Sequence, residues 1–298
     1  MARGLDVVSP RAGWATAAPV GSGLLRRLPP GVAAAVALPL FMQAAPRRGV
    51  RPDEEHTHHA ALRSRMKVSG LGGRGSEAVV YAWGSGDGPV VLVHGWGGRA
   101  AQFAPLVREL RSAGMPVLAF DAPAHGDSPG RHTYIRDFIE TMQGIQRQHG
   151  SIRAVVAHSF GSLAAIVAVS EGLQVGRVAT VAGAGDADHL VSSFSSALGL
   201  GTPAAQALRT RFARRIFPDD PDVYGHYSAI AHPLPASVPF LVVHDADDAR
   251  VPATEADRLV RAHEGRAEYH ATQGLGHERI LRDEGVLAKL TAFATASA

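Results

Sequence analysis

Short apolar runs that alternate with amphipathic stretches are the feature that most restricts how this chain can fold. The β-branched run "PVVLVHG" (89–95) ends in glycine, and "AAQFAPLVRELRSAG" (100–114) follows it with apolar residues at helical spacing. The same pair recurs over 116–150 and again over 152–172. Strands that alternate with helices pair in parallel through right-handed crossovers, and the helices then cover both faces of the sheet. The sequence predicts an α/β protein with a mostly parallel central sheet.

Further strands extend the pattern on both sides of this region. "RMKVSG" and "AVVYAWG" alternate from residue 66 onward, as half-buried strands do. "RVATVAG" (177–183), "PFLVVHDA" (239–246) and "AEYHAT" supply later candidates. We therefore assign the core to residues 66–183 and 239–298.

Residues 184–238 break the alternation. "DADHLVSSFSSALGL" and "TPAAQALRTRFARRIF" predict two amphipathic helices, and a proline-rich return follows them. Ligands of open α/β sheets bind beyond the carboxyl ends of the strands, and a long connection with its own helices can cover that edge. The segment is predicted to be a helical cap. Its four arginines between 209 and 215 indicate a solvated helix face rather than an anion clamp.

The net positive charge of the chain comes from its first 51 residues. Residues 1–51 hold seven arginines and one acid, a net of +6, whereas the rest of the chain has a net of −3. The body therefore offers no basic face for nucleic acid. The chain contains no cysteine, which excludes disulfides, thiolate nucleophiles and cysteine metal sites.

The N-terminal arm, residues 1–65, is predicted to be helical or partly ordered. Its apolar stretch "LPPGVAAAVALPLFMQAAP" is too short for the roughly 20 residues that span a bilayer, so stable membrane insertion is not expected. A signal peptide is the alternative, but the basic pair Arg26-Arg27 lies far from Met1 and proline interrupts the run. A cytoplasmic location is expected. "HTHH" (56–59) favours a solvated helix start over a metal site.

The segment "RAVVAHSFGSLAAIVAV" (153–169) places a serine between a predicted strand and a predicted helix. A nucleophilic Ser159 at this point needs a sharp turn that lifts its hydroxyl clear of the sheet, with small residues two places before and after it. Ala157 and Gly161 meet that requirement. The helix that follows directs its N-terminus towards the hydroxyl, where negative charge develops. Such a strand–turn–helix is a nucleophile elbow, and the alternative is a tolerated core hydroxyl.

Three further loops supply the candidate oxyanion donor, base and acid. "VHGWGG" (93–98) follows an earlier strand, where the backbone N–H of Trp96 can pair with that of Phe160 to form an oxyanion hole. His277, in "QGLGHERIL", follows the last predicted strand and is the candidate base. The orienting acid should follow the preceding strand, where three aspartates are candidates: Asp245, Asp247 and Asp248. In "FDAPAHGDSPG" (120–130), the histidine and second aspartate suit a structural role.

The order of these motifs resembles that of the α/β-hydrolase superfamily over about residues 66–296. In that superfamily two residues usually separate the aspartate of the acid-bearing turn from a following Val-Pro, which places the acid on Asp248. This chain departs from the usual pattern at Asp245 and Ala157, where relatives have glycine.

The resemblance implies a serine hydrolase. Ser159 would attack an ester or similar acyl carbonyl of a small-molecule substrate, with His277 as base, Asp248 as its partner, and no metal or organic cofactor. A serine at the elbow argues against haloalkane dehalogenases and epoxide hydrolases. An acyltransferase using the same triad, or a non-catalytic ligand-binding protein of this fold, remains open.

Overall fold

The computed structural model describes residues 25–44 and 46–296. Its helices are α1 (Pro30–Phe41), α2 (Pro52–His59), α3 (Ala104–Ser112), α4 (Ile135–His149), α5 (Phe160–Ser170), α6 (Ala187–Ala197), α7 (Thr202–Ile216), α8 (Val223–His226), α9 (Ala253–Ala262), α10 (Gly276–Arg279) and α11 (Glu284–Thr295). Its strands are β1 (Leu62–Val68), β2 (Ser76–Trp83), β3 (Val90–Val93), β4 (Val117–Asp121), β5 (Ala154–His158), β6 (Val178–Val181), β7 (Phe240–Asp245) and β8 (Ala267–Thr272).

The eight strands form one sheet in the order β1-β2-β4-β3-β5-β6-β7-β8. β2 pairs antiparallel with both β1 and β4, and every other neighbouring pair is parallel. The predicted fold class, a mostly parallel sheet with helices on both faces, is confirmed. The carboxyl ends of β3, β5, β7 and β8 therefore meet at one edge, which is where the candidate site residues follow the strands.

Alternate side chains of the central strands enter two separate cores. Val91 and Val93 of β3 belong to the core that α4 and α5 cover, whereas Val90 and Leu92 belong to the core under α3 and α11. All four residues of β3 are buried. Burial on both faces explains why the strand is a continuous apolar run and does not alternate.

The sheet begins earlier in the chain than the sequence predicts. β1 starts at Leu62, which pairs with Ala82 of β2, so the boundary we placed between 65 and 66 divides a strand. Four of the first five β1 residues, including Leu62, are exposed at this edge. That exposure removes the apolar alternation from which a strand can be recognised.

The N-terminal region packs on the body as two helices. α1 lies against α7, with Ala34, Ala37 and Phe41 buried. The predicted solvated helix at "HTHH" is wrong in part. His56 and His59 are exposed, but Thr57 and His58 of α2 are buried, and His58 Nε2 lies 3.4 Å from Asp127. Residues 1–24 fall outside the described residues.

Residues 184–238 contain the two predicted helices, α6 and α7, followed by the short α8. Arg211, Arg214 and Arg215 of α7 are exposed. Arg209 stacks on Tyr224 with its guanidinium carbon 3.8 Å from the ring centroid. In the described ranges, no helix has both the length and the apolar character needed to cross a membrane.

Candidate active site

Ser159 lies in the sharp turn between β5 and α5. Its backbone angles, φ 55° and ψ −123°, belong to a region that side-chain-bearing residues rarely adopt. The turn is held because the Ser159 N–H donates to the Val181 carbonyl at 2.9 Å, which joins it to β6. The backbone strain therefore falls on the residue predicted to be the nucleophile.

Two glycines allow the chain to pass close to this turn. A Cβ at position 161 would lie 2.6 Å from the carbonyl oxygens of both Val93 and His94. A Cβ at Gly95 would lie 2.8 Å from the Cβ of Ser159. Both distances are shorter than atoms tolerate, so the elbow and the loop after β3 can meet only if these positions are glycine.

His277 lies between Ser159 and Asp248. Its Nε2 is 3.0 Å from Ser159 Oγ, and its Nδ1 is 2.7 Å from Asp248 Oδ2. The carboxylate accepts the Nδ1–H, so Nε2 is left to accept the serine hydroxyl proton. The structure thus brings together three residues that come from the ends of three different strands.

The neighbouring aspartates have other partners. Asp245 is buried and accepts hydrogen bonds from the Thr272 hydroxyl and from the backbone N–H groups of Leu275 and Gly276. Asp247 is exposed and accepts the Gly274 N–H at 3.0 Å. Both carboxylates therefore hold the turn that precedes His277, and neither meets the imidazole.

Asp248 is kept ionised by its surroundings. Burial by itself would raise the pKa of this carboxyl, but hydrogen bonds from His277 and from the backbone N–H groups of Val251 and Arg250 outweigh burial and lower the pKa. A carboxylate held by several N–H donors stays charged beside an imidazole that gains a proton. The pair is therefore suited to stabilising an imidazolium.

Two buried histidines shape the loop after β3. His94 donates from Nδ1 to the Gly95 carbonyl and accepts the Ala122 N–H at Nε2. His125 donates from Nδ1 to the Pro123 carbonyl and accepts the Gly97 N–H at Nε2. Burial lowers their pKa values to about 4 and about 3. Both rings are therefore neutral at pH 7, and each fixes the nearby loop backbone through its two hydrogen bonds.

Trp96 and Phe160 both lie beside the serine. Trp96 belongs to the loop of residues 95–98, which lines a narrow recess together with Ser159 and His277. Phe160 is the first residue of α5, directly after the nucleophile. The rings of Trp96 and Phe160 meet edge to face, with centroids 5.2 Å apart.

His158, the residue before the serine, has a role in the site that was not predicted from the sequence. Its Nε2–H donates to the His277 carbonyl at 2.9 Å, and burial lowers its pKa well below the ordinary value. A second histidine thus fixes the backbone of the candidate base. A polar residue at the end of a fully apolar strand is the signal that could have identified it.

An ion cluster around Glu278, the residue after His277, was likewise not predicted from the sequence. Its carboxylate lies 3.0 Å from Arg48 and 3.1 Å from Arg250. Both arginines line the recess beside Ser159. Arg48 belongs to the N-terminal region, and no local pattern shows that this region reaches the residue after the candidate base.

A wider cleft opens on the other side of the serine. It is lined by Ser159 and His277 together with polar side chains of α6, among them His189, Ser192, Ser193 and Ser196. We call it the open cleft. A substrate can approach the Ser159 hydroxyl from this side.

The chain resembles known proteins in its sequence. The sequence model of the "Alpha/beta hydrolase family" matches residues 90–289. An uncharacterised protein of Mycobacterium tuberculosis is 30% identical over 219 residues, which covers 72% of each chain. The chain belongs to the α/β-hydrolase family.

Other matches include proteins whose names refer to ester cleavage. A monoacylglycerol lipase of Mycolicibacterium smegmatis is 32% identical over 114 residues, which is 34% of this chain and 40% of that lipase. The esterase of Pyrococcus furiosus superposes with a TM-score of 0.58 at 17% identity, covering 85% of this chain and 95% of the esterase. At that identity the likeness shows the shared fold.

Proposed function

We propose that this α/β hydrolase cleaves carboxylic esters through an acyl-enzyme on Ser159. The observation that carries the proposal is the position of His277, with Nε2 3.0 Å from the serine oxygen and Nδ1 2.7 Å from Asp248. The base is thus within hydrogen-bonding reach of both the nucleophile and the orienting acid, which is the arrangement that activates a serine. The likeness to an esterase and a lipase supports the same reaction class.

The first half of the reaction forms the acyl-enzyme. Ser159 Oγ attacks the ester carbonyl carbon while its proton moves to His277 Nε2. Asp248 accepts the Nδ1–H throughout, which holds the ring in the tautomer that can take that proton and stabilises the resulting cation. His277 then gives the proton to the alkoxide oxygen as the carbon–oxygen bond breaks, and the alcohol leaves.

The second half releases the acid. A water molecule takes the place of the alcohol and gives a proton to His277 Nε2 as its oxygen attacks the acyl carbon. The tetrahedral intermediate collapses, His277 returns the proton to Ser159 Oγ, and the carboxylic acid departs. One water is consumed and the enzyme is regenerated.

The backbone N–H groups of Trp96 and Phe160 are the proposed donors to the oxyanion in both halves. Phe160 is the first residue of α5, so its N–H lies at a helix N-terminus, where the dipole favours negative charge. Trp96 is in a loop whose next residue is held by His125. Loss of one such donor typically costs about 3–4 kcal/mol of transition-state stabilisation.

Substitution of Ser159 tests the proposal. Ser159→Ala should lower kcat for p-nitrophenyl acetate by at least about 10⁴-fold, because the acyl-enzyme can no longer form. Ser170→Ala, at the other end of α5, is the matched control and should retain wild-type turnover. A fluorophosphonate probe should label the wild-type chain at Ser159, as read by mass spectrometry of the peptides. Labelling elsewhere, or full activity of Ser159→Ala, would overturn the mechanism.

A further inference from the structure

A second cavity lies behind the open cleft and is lined by apolar side chains. It lies where α1, α4, α5, α6 and α7 converge, and its walls include Phe41, Met42, Phe160, Leu163, Leu190 and Phe212. We call it the apolar cavity. The hydroxyl of Tyr134, another lining residue, donates to the Gly70 carbonyl at 3.4 Å and is thereby occupied. A pocket with such walls favours an apolar ligand.

The apolar cavity adjoins the site of the proposed reaction. Three residues line both it and the open cleft: Trp96, Phe160 and Leu190. Phe160 is bonded to the serine, and Trp96 lies in the loop beside it. An acyl group on Ser159 Oγ is therefore next to these shared residues. Of the three, Leu190 is the aliphatic one.

Helix α6 contributes apolar side chains to the apolar cavity and polar side chains to the open cleft. Ala187 and Leu190 lie three positions apart and face the apolar cavity. Ser192 and Ser196 lie four positions apart and face the open cleft. Spacings of three and four place residues on one helix face, so α6 presents an apolar face to one space and a polar face to the other. An ester with an apolar acid and a more polar alcohol matches this division.

The N-terminal region forms one wall of the apolar cavity. Phe41, at the end of α1, packs against Phe194 and Phe212 with ring centroids 5.1 and 5.3 Å apart. Met42 follows it and is 4% exposed. The Gln43 carbonyl accepts the indole N–H of Trp96 at 3.1 Å. This wall lies outside residues 90–289, the part of the chain that the family model matches.

We propose that the apolar cavity binds the acyl chain of the substrate and that Met42 and Phe41 limit the chain length it accepts. The proposal rests on the ester hydrolysis proposed above and adds the substrate class, esters of apolar carboxylic acids. Each methylene of the acyl chain that enters the cavity is transferred out of water. We therefore expect kcat/KM to rise with chain length until the chain reaches Phe41 and Met42.

A larger and a smaller residue at position 42 test whether Met42 limits the length of the acyl chain. The full chain is assayed on p-nitrophenyl esters from acetate to laurate, and the preferred length is read from the ratio of kcat/KM for each ester to that for acetate. Met42→Trp fills the cavity and should lower the decanoate-to-acetate ratio at least tenfold. Met42→Ala enlarges it and should move the optimum to a longer ester. Leu40→Trp is the matched control, because Leu40 is 45% exposed on the outer side of α1, and its profile should equal that of the wild type.

A binding measurement separates this inference from the proposed function. A bromine-substituted fatty acid in the apolar cavity touches Trp96 and should quench its fluorescence in Ser159→Ala as well as in the wild type. Trp96→Phe should remove that part of the quenching. Unchanged chain-length profiles in both Met42 variants, together with quenching that does not depend on Trp96, would overturn the acyl site even if esters are hydrolysed. Quenching through Trp96 without hydrolysis of any ester would leave the acyl site standing and overturn the proposed function.

Discussion

Asp247 and Asp248 are adjacent in the chain, yet it is the carboxylate of Asp248 that meets His277. Asp248 is buried and holds the imidazole N–H at 2.7 Å, whereas Asp247 is exposed and holds a turn. A shift of one position in this loop therefore decides whether an aspartate contacts the imidazole or holds a turn. Substitution by asparagine keeps the size and removes the charge.

Asp248→Asn should lower kcat by about 10⁴-fold with little change in KM, because the amide stabilises the wrong imidazole tautomer and cannot stabilise the cation. Asp247→Asn is the matched control and should change kcat less than threefold or so, as expected for an exposed side chain. The measurement is steady-state hydrolysis of p-nitrophenyl acetate. If Asp247→Asn were the damaging change, the acid would be assigned to the wrong residue.

Helix α1 shows how an element without a polar pattern is stabilised. Its sequence "PGVAAAVALPLF" holds no charged residue, so no polar face marks its solvent side. Ala33, Ala34 and Ala37 are buried, whereas Val32, Val36 and Leu40 are exposed. The three alanines let α1 approach α7 closely, and Leu38 and Phe41 are buried beside them.

Ala37→Leu should therefore lower the free energy of unfolding by about 1–3 kcal/mol, since three extra carbons must enter a closely packed contact. Val36→Leu, the neighbour on the exposed face, should change it by less than about 0.5 kcal/mol. Urea unfolding followed by circular dichroism measures both values. Equal stability of the two variants would contradict the close packing of α1 on α7.

Buried histidines contribute to a loss of stability in acid. Burial lowers the pKa of His94 to about 4 and that of His125 to about 3, against about 6.5 in an unfolded chain. Below pH 6.5 the unfolded chain therefore binds protons that the folded rings do not, and the free energy of unfolding falls as the pH falls. Asp137 acts in the opposite sense, because burial raises its pKa to about 6.

We expect a net loss of stability between pH 7.5 and pH 5. Each of the two histidines contributes a loss of about 2 kcal/mol, and the single carboxyl of Asp137 offsets about 1 kcal/mol. Urea midpoints at the two pH values measure the change, and His125→Gln should make the dependence shallower. A midpoint that stays constant or rises at pH 5 would show that these rings are protonated in the folded chain.

The strands, the elbow and the order of the motifs could be predicted from the sequence because they depend on local chemistry. A strand buried on both faces must be apolar throughout, and a sharp turn that lifts Ser159 clear of the sheet needs small residues two places before and after it, here Ala157 and Gly161. These requirements act over a few residues, so they are visible in the order of the amino acids. The helical segments of 184–238 follow from periodicity in the same way.

Other parts of the site depend on contacts between residues far apart in the chain, and these only the tertiary structure decided. The family pattern favoured Asp248, but its contact with His277 spans 29 positions, and the His158 tether to the same residue spans 119. The pairing of Arg48 with Glu278 and the placement of Met42 in the apolar cavity arise where the N-terminal region folds back on the core. No local pattern specifies such a contact, since the free energy that favours it comes from burial and charge pairing between surfaces that form only when the chain has folded.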